Sequence, residues 1–206
     1  MQNPATLYIV RHGQTDWNAI HKIQGQTDTL LNASGEEQAK NRAKLLKNIH
    51  FDAIFSSDLL RAHRTAEILA LERSIAVATT HLLRERNFGP LEGKEVVKLR
   101  EMEKELGELG DAERFVHKKY PDIESDEELI GRFLTFLREV AVANANKNVL
   151  VVTHGGVMRA ILVHIGYVTY KEVNSLWIDN TGYFVMKSDG VEFEIQTVTG
   201  IEKTRP

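Results

Sequence analysis

Leu7-Tyr8-Ile9-Val10-Arg11-His12-Gly13 decides how the rest of the chain is read. Four apolar, partly β-branched residues in succession predict a strand covered on both faces, and hence a member of a parallel sheet. Arg11, His12 and Gly13 stand where that strand should end. Ligands of open parallel sheets gather at the carboxyl ends of strands, so polar residues placed there draw attention. On their own, an arginine and a histidine in that place are as readily a polar strand cap as a working site.

The same construction returns later. Residues 149–152, Val-Leu-Val-Val, predict a second buried strand that ends in Thr153-His154-Gly155-Gly156. An apolar helix over 157–165 should follow, with Gly166 as its stop. The two glycines let backbone approach a ligand closely, and the helix start offers unpaired N–H groups to an anion. Residues 51–55 predict a third strand. Ser56-Ser57-Asp58 then supply N-cap residues for a helix with Leu59, Ala62, Ala66 and Leu69 inward. Arg61 falls in its first turn, off the apolar face, where it either leans toward the strand end or rests as a surface arginine. Parallel packing would bring Arg11 with His12, Arg61, and His154 to one edge of the sheet.

The remaining segments read as support. Residues 15–32 have no clean period and predict a loop folded over the site. Ser34 with Glu37 forms a capping-box pattern for a helix to about Asn48, with Ala39, Ala43 and Leu46 on its inner face. Residues 75–78 could be an edge strand. The stretch from about 93 to 144 is mainly helical and strongly charged, and reads as an insertion capping the sheet end. Within it, Ser125 and Glu128 form a second capping box before Leu129, Phe133, Leu137 and Val140. Ser188-Asp189-Gly190 predicts a hairpin between 183–187 and 191–195, with Val191, Phe193 and Ile195 inward and no evident chemistry. The expected fold is thus one α/β domain over residues 1–206, with a mostly parallel central sheet and a helical cap at about 93–144.

Composition narrows the function classes. The 206 residues are 42% hydrophobic and 27% charged with a net charge of −3, enough to bury one core under an ordinary polar surface. There is no excess of lysine and arginine to suit nucleic acid or an anionic membrane. The absence of cysteine removes disulfides, thiolate metal sites and thiol nucleophiles. The eight histidines show no short metal-binding spacing such as His-Glu-x-x-His, so no metal site is expected. The N-terminus lacks the basic and apolar regions of a signal peptide, and a cytoplasmic location is the expectation.

An edge rich in arginine and histidine suits phosphoryl transfer, where catalysis is mostly positioning and electrostatics and arginine gives planar two-point contacts. Mg2+ is then not required. A neutral imidazole, here His12, can attack phosphorus and store the group as phosphohistidine, while a second histidine, if protonated, can hold the transferring oxygens. The leaving alkoxide needs a proton and the next water needs a base, which one carboxyl group can serve in turn. Glu85, in Leu83-Arg84-Glu85-Arg86-Asn87-Phe88-Gly89, is the candidate, with Glu92 as the fallback. A structural ion pair between Glu85 and its flanking arginines is the competing reading.

Taken together, Arg11-His12-Gly13 with Thr15, Trp17 and Asn18, Gln24-Gly25-x-x-Asp28-x-x-Leu31, Ser56-Ser57-Asp58-Leu59-x-Arg61-Ala62-x-x-Thr65-Ala66, Glu85-Arg86-x-Phe88-Gly89-x-x-Glu92-Gly93 and Thr153-His154-Gly155-Gly156 resemble the histidine phosphatase superfamily, in its phosphoglycerate mutase-like branch. The resemblance runs from near the N-terminus to about residue 166. It implies a three-layer α/β/α sandwich and a phosphorylated nucleophile at His12. Arg11, Arg61 and His154 would form the phosphate pocket and Glu85 would be the proton donor and acceptor. It further implies phosphate contacts from Asn18 and the Gly155 backbone, with Gln24 and Gly25 on the substrate side.

The branch holds both phosphatases and mutases. The mutases are usually longer, and their characteristic stretch after the Glu92-Gly93 position is not found here. The expectation is therefore a metal-independent phosphomonoesterase of small phosphorylated metabolites without a cofactor. The alternative is a phosphoglycerate mutase dependent on 2,3-bisphosphoglycerate, and a non-catalytic phospholigand-binding regulatory protein is the alternative of another class. Cap residues would choose the substrate, and the oligomeric state is not legible.

Overall fold

The structure, a computed structural model, describes residues 3–71 and 73–203. Six strands form one sheet: β1 (Ala5–Arg11), β2 (Ala53–Ser57), β3 (Val77–Thr80), β4 (Asn148–Thr153), β5 (Trp177–Ser188) and β6 (Phe193–Glu202), ordered β3-β2-β4-β1-β5-β6. β1, β4, β2 and β3 run parallel, whereas β5 is antiparallel to β1 and β6 to β5. Arg11 stands opposite Thr153, and Ser56 opposite Val152, so the three strand ends of interest share one edge.

The unbroken apolar runs follow from cover on both faces. Leu7, Ile9, Val149 and Val151 face α6 (Asp126–Ala143) and α7 (Gly155–His164). Val10, Leu150 and Val152 face the other way, among residues of α3 (Leu60–Ala70) and Leu46, just past the end of α2 (Ala33–Leu45). This is the expected three-layer α/β/α sandwich with a mostly parallel sheet. No helix among the described residues is long and apolar enough to cross a membrane.

Several local expectations are corrected. α2 begins at Ala33, capped by Asn32, whose side chain accepts from the Gly35 N–H at 2.9 Å. The Ser34–Glu37 box is not used, because Gly35 already packs against Gln14, where a Cβ would stand 2.1 Å from the carbonyl oxygen. At the start of α3 neither serine caps the helix end. The Leu60 N–H donates instead to Asp28 Oδ1 at 2.7 Å, a cap supplied by the preceding loop. That loop contains one short helix, α1 (Asp16–Ala19), with a Thr15–Asn18 capping box.

The cap is smaller than the expected span of about 93–144. The Ser125–Glu128 box does open α6, and Leu129, Phe133, Leu137 and Val140 are buried. Their partners, however, are Leu7, Ile9 and α7, so α6 is a layer of the sandwich. The apolar face was legible but its partner was not. What remains outside is α4 (Val97–Leu106) and α5 (Asp111–Val116) with their connections. The hairpin forms, but β5 starts at Trp177, earlier than expected, and Val191 lies in the turn with 72% of its surface exposed.

Candidate active site

His12 follows β1 and is 3% exposed. Its Nδ1 is 2.6 Å from the Gly13 carbonyl oxygen, a partner that can only accept, so Nδ1 carries the proton and Nε2 keeps its lone pair. Burial, then the charges of Arg61 and Arg11, hold its pKa well below the ordinary histidine value, and the ring is neutral at pH 7. The turn beyond it is held by α3: the Gly13 N–H donates to Thr65 Oγ1 at 3.0 Å. Glycine is required at 13, where a Cβ would meet the Gly35 carbonyl oxygen at 2.5 Å.

Arg61 is fully buried and donates to the carbonyls of Gly25 (2.6 Å) and Thr27 (2.9 Å). Arg11 donates to the carbonyl of Ile178 at 2.5 Å. Each guanidinium is thus aimed by backbone oxygens, and neither Nε has a partner among the described residues. Burial is the main cause that lowers both pKa values to about 10, which leaves both charged at neutral pH. Two cations, Arg61 buried and Arg11 half-buried, whose hydrogen bonds go to carbonyls rather than carboxylates keep their full charge for a ligand.

His154 caps α7 from the end of β4, wholly buried, with its ring centroid 5.2 Å from that of His12. Neither ring nitrogen has a hydrogen-bond partner among the described residues. Burial, followed by Arg61 and His12, keeps its pKa well below the ordinary value, so it too is neutral. Gly155 brings α7 against Arg11, where a Cβ would lie 3.2 Å from Nε.

Glu85 reaches the same place. Its Oε2 accepts from the Gly156 N–H at 2.9 Å and its Oε1 from the Arg86 N–H at 2.8 Å. The ion-pair reading fails, because the flanking arginines are engaged elsewhere: Arg84 with Asp58 through two contacts of 2.8 and 2.7 Å, and Arg86 with Asp126. Gln26 Nε2 and Arg132 donate to the Glu85 carbonyl, which holds its backbone. Glu92, the fallback, is engaged in the loop. Its carboxylate accepts from the N–H groups of Gln26, Thr27 and Phe88 and from the Thr27 hydroxyl, tying the 24–27 loop to the base of the cap.

The structure gives the other expected residues more specific positions. Asn18 Oδ1 accepts from the Thr15 N–H, which turns its amide nitrogen outward from the capping box. Gln24 is 8% exposed and accepts from the hydroxyls of Thr15 and Thr29, so it braces the loop. Gly25 holds Arg61 with its carbonyl, and at φ +54° a Cβ would stand 2.0 Å from Glu92 Oε1. Two contributors were passed over. Arg159 lies one turn after Gly155 on α7, and its charge couples to those of Arg11 and Glu85. The i,i+4 spacing from Gly155 could have found it. Asn180 donates to the His12 carbonyl at 3.1 Å, and no pattern in the sequence announces it.

The profile of the histidine phosphatase superfamily (branch 1) matches residues 7–200. The chain belongs to the histidine phosphatase superfamily. Over 157 residues it is 39% identical to a Bacillus subtilis relative named "Uncharacterized phosphatase PhoE", covering 76% of this chain and 75% of the relative. Over 207 residues it is 31% identical to the "Broad-specificity phosphatase YOR283W" of Saccharomyces cerevisiae, covering 95% of this histidine phosphatase and 86% of the yeast protein. Its fold matches the crystal structure of a phosphoglycerate mutase from Bacillus anthracis with a TM-score of 0.80 at 24% identity, over 96% of this chain and 93% of that one. Membership and the named relatives support a phosphatase function.

Proposed function

We propose that this histidine phosphatase hydrolyses phosphate monoesters of small metabolites through a phosphohistidine on His12, without a metal ion. The observation that carries the reading is the state of His12: Nδ1 committed to the Gly13 carbonyl, the ring kept neutral within reach of the Arg11 and Arg61 charges, and its centroid 5.2 Å from that of His154. Its lone pair attacks phosphorus while the bond to the ester oxygen breaks. Arg11 and Arg61 neutralise the transferring oxygens, with the first N–H groups of α7 and the His154 ring as further donors, the positive charge that a metal supplies in other enzymes. Protonated Glu85 gives its proton to the departing alkoxide. As a carboxylate it then takes a proton from water, whose oxygen bonds to phosphorus as the P–N bond breaks, and phosphate leaves with the imidazole neutral again.

Small phosphorylated metabolites are the proposed substrates, and the proposed compartment is the cytoplasm. The expected result with p-nitrophenyl phosphate in the presence of EDTA is turnover that His12→Ala abolishes, with an acid-labile phosphoenzyme on the native chain alone. No hydrolysis by the native chain, or hydrolysis undiminished in His12→Ala, overturns the reading and leaves a phospholigand-binding protein. A mutase would convert 3-phosphoglycerate to its isomer, given 2,3-bisphosphoglycerate, faster than it releases phosphate. The expected order is the reverse.

A further inference from the structure

We propose that Asn180 is a positioning residue of the phosphate site, one that fixes which end of the Asn18 amide faces the ligand. The inference rests on the reading of His12 and Asn18 as part of that site. Its basis is an irregularity in β5. Pairing with β6 shifts between Ile178 and Tyr183, and within the shift Thr181 takes a left-handed backbone, φ +59°. A β-branched residue resists that region, and such conformations persist where the surroundings over-determine them, often beside working sites. Here the surroundings do so: Arg42 Nε donates to the Thr181 carbonyl at 2.9 Å while its guanidinium lies 4.8 Å from the Tyr183 ring centroid.

The consequence of the bend is contact with three parts of the site at once. The Ile178 carbonyl receives Arg11 at 2.5 Å. The Thr181 N–H and the Asn180 side chain both donate to the His12 carbonyl, at 3.4 and 3.1 Å. Asn180 Nδ2 also lies 3.5 Å from Asn18 Oδ1. The His12 carbonyl is a pure acceptor, so it sets the Asn180 amide with its NH2 inward. That NH2, with the Thr15 N–H, makes two donors around Asn18 Oδ1. An Asn18 flipped the other way would point its own NH2 at those donors. The Asn18 NH2 is therefore left as the end presented to an anion, and no reorientation is needed when a phosphate arrives.

A double-mutant cycle tests this, read by inorganic phosphate affinity in calorimetry and by kcat/KM on p-nitrophenyl phosphate. Asn180→Ala is expected to weaken both by about 5- to 20-fold in the native background and by less than about twofold in Asn18→Ala, because the residue acts through Asn18. Asn180→Asp keeps the size, removes the donor and adds a charge that repels phosphate, so it should lose at least as much as Asn180→Ala. It also decides the matter should Asn180→Ala fail to fold. The full factor persisting in Asn18→Ala, or native affinity in Asn180→Asp, overturns the proposal. A native chain that binds phosphate without hydrolysing p-nitrophenyl phosphate would refute the phosphatase reading, while the cycle in phosphate affinity would still decide the part of Asn180.

Discussion

Gly156→Ala isolates the role of Glu85 without touching Glu85. Gly156 is the second residue of α7, and its φ is not in the left-handed region, so alanine suits the backbone and raises helix propensity by up to about 1 kcal/mol. A Cβ there would stand 2.3 Å from Glu85 Oε1 and 3.0 Å from Cδ. Ordinary contact begins near 3.4 Å. The carboxyl group is the free end of a side chain, so it swings aside by about 1 Å rather than breaking the helix, and a misplacement of that size costs on the order of 100-fold in a catalytic step. The loss should fall on the step that needs the proton. An alkyl phosphate such as phosphoserine is expected to lose about 100-fold in kcat/KM, roughly 2.7 kcal/mol of transition-state stabilisation. p-Nitrophenyl phosphate, whose leaving group needs little protonation, should lose less than about 10-fold. Steady-state assays on both substrates, with thermal unfolding to confirm an intact fold, give the comparison. Equal losses on the two would refute the assignment of Glu85 as the acid.

Glu92→Gln should behave differently: it weakens four hydrogen bonds of the 24–27 loop and the base of the cap, so urea unfolding should show about 1–3 kcal/mol less stability and both substrates should suffer alike. A loss confined to the alkyl phosphate would return Glu92 to consideration as the acid. The two buried histidines tie stability to pH. Their folded pKa values lie well below 6.5, so the unfolded chain binds more protons as pH falls through that value. Their contribution is whole above pH 6.5 and declines below it, by at most about 2 kcal/mol for the pair between pH 6.5 and 5.5. Denaturation at the two pH values, with His154→Gln showing about half that decline, checks it, and a pH-independent midpoint would contradict the burial of neutral imidazoles.

Legibility from sequence was greatest where one local pattern carried the whole instruction. The runs before Arg11 and His154 read directly as strands buried on both faces, and the strand ends met as expected. Ser125 with Glu128 named the start of α6 correctly. Reading failed where the deciding contact was distant. Asn32 rather than Ser34 caps α2 because Gly35 must fit against Gln14, and Asp28, from another loop, caps α3. The apolar face of α6 says that it packs but not on what, which is why it was assigned to the cap. Glu85 looked like an ion-pair member because its neighbours are arginines, yet side chains of successive residues diverge and each found its own carboxylate. Asn180 was invisible because its importance comes from a bend in β5 that polar residues with no strand alternation produce.

β1 lies inside the sheet, flanked by β4 and β5, with both faces covered, and it delivers His12, the proposed nucleophile. α4 and α5, by contrast, sit outside the layers. Any substitution that displaces His12 through this strand must first disturb the part of the chain whose loss unfolds the protein, and cellular quality control would remove it as a folding defect. Substitutions in the outlying helices meet no such filter. Under the proposed function, the molecule separates two rates of evolutionary change, slow for the chemistry and fast for the choice of substrate, by where each is attached to the sheet.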